Sequence, residues 1–106
     1  MINLRQLLLN DFGVDLPISG GTGNSLENAI VIQRLVPNDY VATEYAILKY
    51  LGLGRGVTWK LLQQQLIEAD GRVIDKMKLE VSQTTKTDII TTIENYYFDI
   101  TECFGK

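Results

Sequence analysis

The sequence predicts an α+β fold: an antiparallel sheet of about four strands with two helices packed on one face, in the order α-β-α-β-β-β. Three observations predict it. Two segments repeat apolar residues at helical spacing, Leu4, Leu8 and Phe12 in the first and Val41, Tyr45 and Leu48 in the second. Asp70 and Gly71 form a favoured two-residue turn ahead of a cleanly alternating segment. Near the end, Tyr96, Phe98 and Ile100 alternate with Tyr97, Asp99 and Thr101. With 106 residues the chain is long enough for one hydrophobic core and too short for two, so a single domain over residues 1–106 is expected.

Residues 2–12 read as a helix, because Asn3 followed by Gln6 resembles a capping box and Gly13 suits the exit. Residues 15–24 read as a loop, since Pro17, Gly20, Gly21 and Gly23 hold neither a helix nor an inner strand cheaply. The apolar, β-branched run of residues 29–32 reads as a strand covered on both faces. Pro37, Asn38 and Asp39 open the second helix, which carries Ile47 and Leu51 beside the Val41, Tyr45, Leu48 stripe and stops at Gly52. Gly52, Gly54 and Gly56 then connect to the next segment.

Residues 59–69 have helix-friendly composition, and a helix is the alternative there. A hairpin at Asp70 and Gly71 is favoured because it sets Leu66 opposite Asp75, Gln64 opposite Met77 and Leu62 opposite Leu79, gathering aliphatics on one face. The second arm presents Val73, Met77, Leu79 and Val81 on one face and Lys76, Lys78 and Glu80 on the other. Residues 83–88 read as a surface turn. Ile89 and Ile93 lie on the parity opposite to Tyr96 and Phe98, which a bulge near Glu94 would reconcile.

Composition narrows the function classes. The net charge of −3 offers no general attraction to phosphate backbones or anionic lipid, so neither nucleic acid nor membrane is an expected partner. No apolar run is long enough to span a bilayer or serve as a signal peptide, and Cys103 is the single cysteine, so a cytoplasmic location is expected. The chain has no histidine, which removes Ser-His-Asp and Cys-His catalysis and, with one cysteine, a closed zinc site. The acidic residues are scattered and show no EF-hand spacing. No catalytic residue, metal site or cofactor is therefore assigned.

Gly20, Gly21, Gly23, Ser25, Glu27, Asn28 and Ala29, together with Glu44 and Tyr45, with Gly71, Arg72 and Asp75, and with Tyr97 to Thr101 and the final Phe104, Gly105 and Lys106, resemble a group of small bacterial proteins. The resemblance extends from Ile18 onward and implies no activity, ligand or catalytic residue.

Two sets of candidate residues follow. Gly21, Gly23, Asn24 and Ser25 could cradle an anion with backbone N–H groups, although a phosphate loop would also need a lysine and a following helix. Asp75 joins them because its parity sets a carboxylate on the apolar face, where it needs a partner such as Arg55 or Arg72, or serves as a base or ligand anchor. The second set is an interaction surface of Trp59, Tyr97 and Asp99. Cys103 reads as a small packed residue. The leading expectation is a noncatalytic domain that presents a sheet face or edge to another protein or to itself. The alternative is a small-ligand or anion-binding protein, or a carboxylate-dependent enzyme that sets Glu44, Asp75 or Asp99 across a pocket from the glycine loop.

Overall fold

The computed structural model describes residues 3–34 and 39–104. Its elements are α1 (Leu4–Phe12), β1 (Ile18–Gly20), β2 (Ile30–Ile32), α2 (Tyr40–Arg55), β3 (Thr58–Ala69), β4 (Arg72–Thr84) and β5 (Ile89–Asp99). The fold is α+β, but the sheet has five strands and is mixed. Its order is β1-β2-β5-β4-β3, and β2 runs parallel to β5 while every other pairing is antiparallel. The fifth strand is β1, inside the stretch expected to be loop: Ile18 and Gly20 pair with Ile32 and Ile30.

Local chemistry sets the helix ends. Asn3 caps α1 by accepting from the Gln6 N–H at 2.9 Å, and Gly13 closes it with a left-handed φ of 69°. Asp39 caps α2 by accepting from the Ala42 N–H at 3.1 Å. Pro37 and Asn38, expected to open this helix, lie outside the described residues. α2 does not stop at Gly52 but runs to Arg55, with Gly56 at φ 69° donating back to the Gly52 and Leu53 carbonyls. Gly52 is tolerated inside the helix because it faces the core: a Cβ there would sit 3.3 Å from the Val57 carbonyl oxygen and 3.4 Å from the Trp59 ring.

Residues 58–69 are strand, and Asp70 (φ 54°) with Gly71 (φ 75°) makes the tight turn. Leu66 pairs with Asp75 and Gln64 with Met77, but the partner of Leu79 is Leu61 rather than Leu62, because a bulge between Leu61 and Gln63 inserts one residue. β5 is a single strand in unbroken register with β4, with no bulge at Glu94. Ile89 and Ile93 accordingly stay on the row facing away from the helices and are exposed.

The helices cover one face. Leu4 and Leu8 of α1 and Ile47 and Leu48 of α2 join Met77, Leu79, Val81 and Phe98 in one core cluster with Ile18, Ile30, Ile32, Ile100 and Cys103. The buried stripe of α2 contains Thr43, Glu44, Ile47, Leu48 and Gly52, whereas Val41 and Tyr45 are exposed at its side. No helix among the described residues is long and apolar enough to cross a membrane.

Candidate functional site: a buried carboxyl pair and an open sheet edge

Glu44 lies at the centre of the buried stripe of α2, and Asp75 follows Val73 on the inward row of β4 that continues through Met77, Leu79 and Val81. The two carboxyl groups therefore meet between helix and sheet, 0% and 3% exposed. Asp75 accepts a 2.7 Å hydrogen bond from the Gln64 side-chain amide on β3. Neither oxygen of Glu44 is met by a hydrogen-bond donor among the described residues. Burial, then hydrogen bonding to Asp75, then the Asp75 charge push the Glu44 carboxyl up to about 10. A carboxyl raised this far keeps its proton at neutral pH, so Glu44 faces Asp75 as a neutral acid. Nearby, burial pushes the Tyr40 phenol and the Cys103 thiol up. The Cys103 Sγ approaches the Ile32 and Gln33 carbonyl oxygens at 3.5 Å, the environment of a packed thiol.

Neither arginine considered for Asp75 reaches it. Arg55 makes a two-pronged ion pair with Glu94, both contacts at 2.7 Å, and touches the Tyr96 hydroxyl at 3.3 Å. Arg72 donates to Asp99 at 2.8 Å. Asp99 also accepts from the Thr101 hydroxyl at 2.6 Å and the Thr101 N–H at 3.1 Å. Burial alone would raise this carboxyl, but the Thr101 hydrogen bonds and the Arg72 contact outweigh it and hold Asp99 below its usual range. Asp99 thus ties the ends of β4 and β5 together. It shares the row facing away from the helices with Tyr97, whose ring lies 5.6 Å from the Lys76 ammonium.

Trp59 sits on the other face, where it pairs with Val81 and stacks on Tyr45 of α2 at 5.9 Å. Trp59, Tyr97 and Asp99 do not form one surface. The glycine loop and Asp75 are likewise not brought together. Gly21 N–H donates to the Ala29 carbonyl and Gly23 N–H to the Asn28 carbonyl, so both amides point into the β1–β2 connection. The Gly23 carbonyl accepts from Tyr97 N–H, and the Ser25 hydroxyl accepts from Asn28 N–H. These are the contacts of a tight structural turn, and no helix follows it.

Of this loop, Thr22 and Asn24 border a cleft of about 440 Å³ against Leu4, Leu7, Leu51 and residues 94–96. Its lining is mostly apolar, and its one carboxylate, Glu94, is held by Arg55. Neither Glu44 nor Asp75 borders it. Two carboxyl groups shut between helix and sheet can store a proton and order the core. They present no reactive atom to a substrate in this cleft.

Sequence reasoning offered Glu44 only as a carboxylate across a pocket from the glycine loop, and it missed two features, the first being the burial of Glu44 against Asp75. Glu44 was signalled by its spacing, since Tyr40, Ile47, Leu48 and Leu51 surround it at helical intervals and set it inward. The other is the outer edge of β3. This twelve-residue strand ends the sheet, and no strand among the described residues pairs with its far side. Leu62 and Leu66 on it are 43% and 48% exposed. Among the described residues the residue 89–95 half of β5 also has no strand on the side away from β4, because β2 pairs only with Phe98 and Asp99.

No protein-family model, curated protein or solved structure matches the chain, so function is read from its own geometry.

Proposed function

We propose that the protein is a noncatalytic interaction domain that receives another polypeptide along the outer edge of β3. One observation supports this reading above all: a strand of twelve residues ends the sheet, and the half of its backbone donors and acceptors that points away from β4 meets no strand among the described residues. Edges of this length are usually shortened, covered, or blunted by proline and repeated lysines. Here the bulge at Leu61 and Leu62 and the single Lys60 are the edge-protecting features, there is no proline, and Leu62 and Leu66 add apolar contact area. The buried Glu44 and Asp75 supply structure rather than chemistry in this reading. Tyr97 and Asp99 fall outside the proposed surface.

A photo-crosslinking residue placed at Leu66 in the native cell tests the proposal, with the exposed Lys86 in the β4–β5 turn as control. Position 66 is expected to give a discrete adduct, either with this chain or with another protein, that position 86 does not give. Equal, background-level labelling at both positions would overturn it.

A second reading, a small-ligand protein, has one observation in its favour, the 440 Å³ cleft beside Thr22 and Asn24. The inward direction of the Gly21 and Gly23 amides weighs against an anion as that ligand.

A further inference from the structure

We infer that the occupant of the β3 edge is a second copy of this chain, paired antiparallel about a two-fold axis at Gln64. The inference rests on the reading of β3 as an interaction edge and adds the identity and register of the partner.

A two-fold contact is self-complementary, so residues equidistant from the axis must suit one another. The centre of β3 has that property. Residues 61–67 run Leu, Leu, Gln, Gln, Gln, Leu, Ile, and this order of chemical types reads the same in both directions. About Gln64, Leu62 meets the other copy's Leu66, Gln63 meets its Gln65, and Gln64 meets itself. Leu62 and Leu66 are among the large apolar side chains left exposed in the single chain.

The charges select the same arrangement. Lys60 and Glu68 are the only ionisable groups with a formal charge on β3, one near each end. Antiparallel pairing brings the basic end of one copy beside the acidic end of the other, whereas parallel pairing sets Lys60 against Lys60. The bulge turns Lys60 to the row of Glu80 and leaves Glu68 on the row of Val73, so the ends attract without forming a direct ion pair. The open half of β5 fails this test. Self-pairing there about Thr91 would match Ile89 with Ile93 but set Asp88 against Glu94, and opposed like charges destabilise a strand pair.

Pairing in this register joins two five-stranded sheets and leaves both pairs of helices on one side. Tyr45, stacked on Trp59 at the margin of α2, then flanks the seam in each copy.

Single cysteines read the register. Directly opposed residues on antiparallel strands have Cβ atoms about 4.5–5.5 Å apart and diagonal ones about 7–8 Å, while a disulfide needs roughly 3.5–4.5 Å, so only opposed residues join readily. Under mild oxidation Gln64→Cys is expected to form a covalent dimer. A mixture of Gln63→Cys with Gln65→Cys is expected to yield several-fold more dimer than either variant alone. The mixture keeps Gln64 and its bond to Asp75, so it stands even where Gln64→Cys folds poorly. Cys103, 1% exposed, stays in place.

Equal low yields throughout, or a monomer mass in sedimentation from about 1 µM to about 1 mM, would overturn the second-copy inference. If the residue 66 photo-adduct then contains a different protein, the interaction edge itself stands. If there is no adduct, both readings fall.

Discussion

Glu44→Gln is expected to make the protein more stable at pH 8 and to remove most of its loss of stability between pH 5 and pH 9. In the unfolded chain Glu44 releases its proton near its ordinary value of 4.5, whereas in the fold it holds the proton up to about 10. Between those two values the folded form binds a proton that the unfolded form has given up, so stability falls as pH rises. The slope is about 1.4 kcal/mol per pH unit, roughly 3 kcal/mol lost by neutrality. The contribution of this group is complete below pH 4.5 and gone above pH 10. Glutamine is neutral throughout and its amide offers a donor beside Asp75, so this dependence disappears. Glu94 and Asp99 act oppositely, because both are held below their ordinary values and lose their contribution as pH falls through the acid range. Urea unfolding at pH 5, 7 and 9 measures the difference; parallel profiles for the wild type and Glu44→Gln would show that Glu44 is not a buried neutral acid.

Gly21→Ala is expected to lower stability by about 2–3 kcal/mol, while Gly54→Ala is neutral or slightly stabilising. A Cβ on Gly21 would lie 2.5 Å from both the backbone and side-chain oxygens of Asn28, and the Asn28 backbone has no room to retreat without opening the β1–β2 connection. A Cβ on Gly54 meets only the Phe12 ring, at 3.5 Å and 3.9 Å, ordinary contact that fills space between the helices. The melting temperature of Gly21→Ala should fall by about 10 °C or more, given the usual 4–8 °C per kcal/mol for a domain of this size. An anion cradle would behave differently, since the variant would lose phosphate binding and keep its melting temperature. An unchanged melting temperature in Gly21→Ala would contradict the structural role given to this loop.

The parts of the fold legible in the sequence were those set by local chemistry. Asn3 and Gly13 mark the ends of α1, Asp39 caps α2, and Asp70 with Gly71 fixes the hairpin and two of its three foreseen pairs. The third pair slipped because a bulge at Leu61 and Leu62 depends on backbone bonding to β4 and leaves no mark in composition. Partner choice between distant strands was equally hidden. Only three residues form β1 and three form β2, and the parallel alignment of β2 with β5 depends on segments some seventy residues apart.

The site was legible in part. Strand parity set Asp75 inward, but its neighbours are an amide and a second acid rather than an arginine, because Arg55 and Arg72 find nearer carboxylates in Glu94 and Asp99. The α2 stripe was misplaced because Val41 and Tyr45 are apolar yet lie at the margin, while the polar Glu44 lies at the centre. Hydrophobic character alone does not distinguish a partly exposed margin from a core.

Amide hydrogen exchange along Thr58–Ala69 tests most directly the central claim that a second copy of this chain satisfies the outer edge of β3. About half of these amides point toward β4 and are protected in a single copy; the others point outward. The outward amides are expected to exchange freely in dilute protein and to become protected as concentration rises, centred on Gln64. Outward amides that exchange at the unprotected rate at every concentration would contradict it.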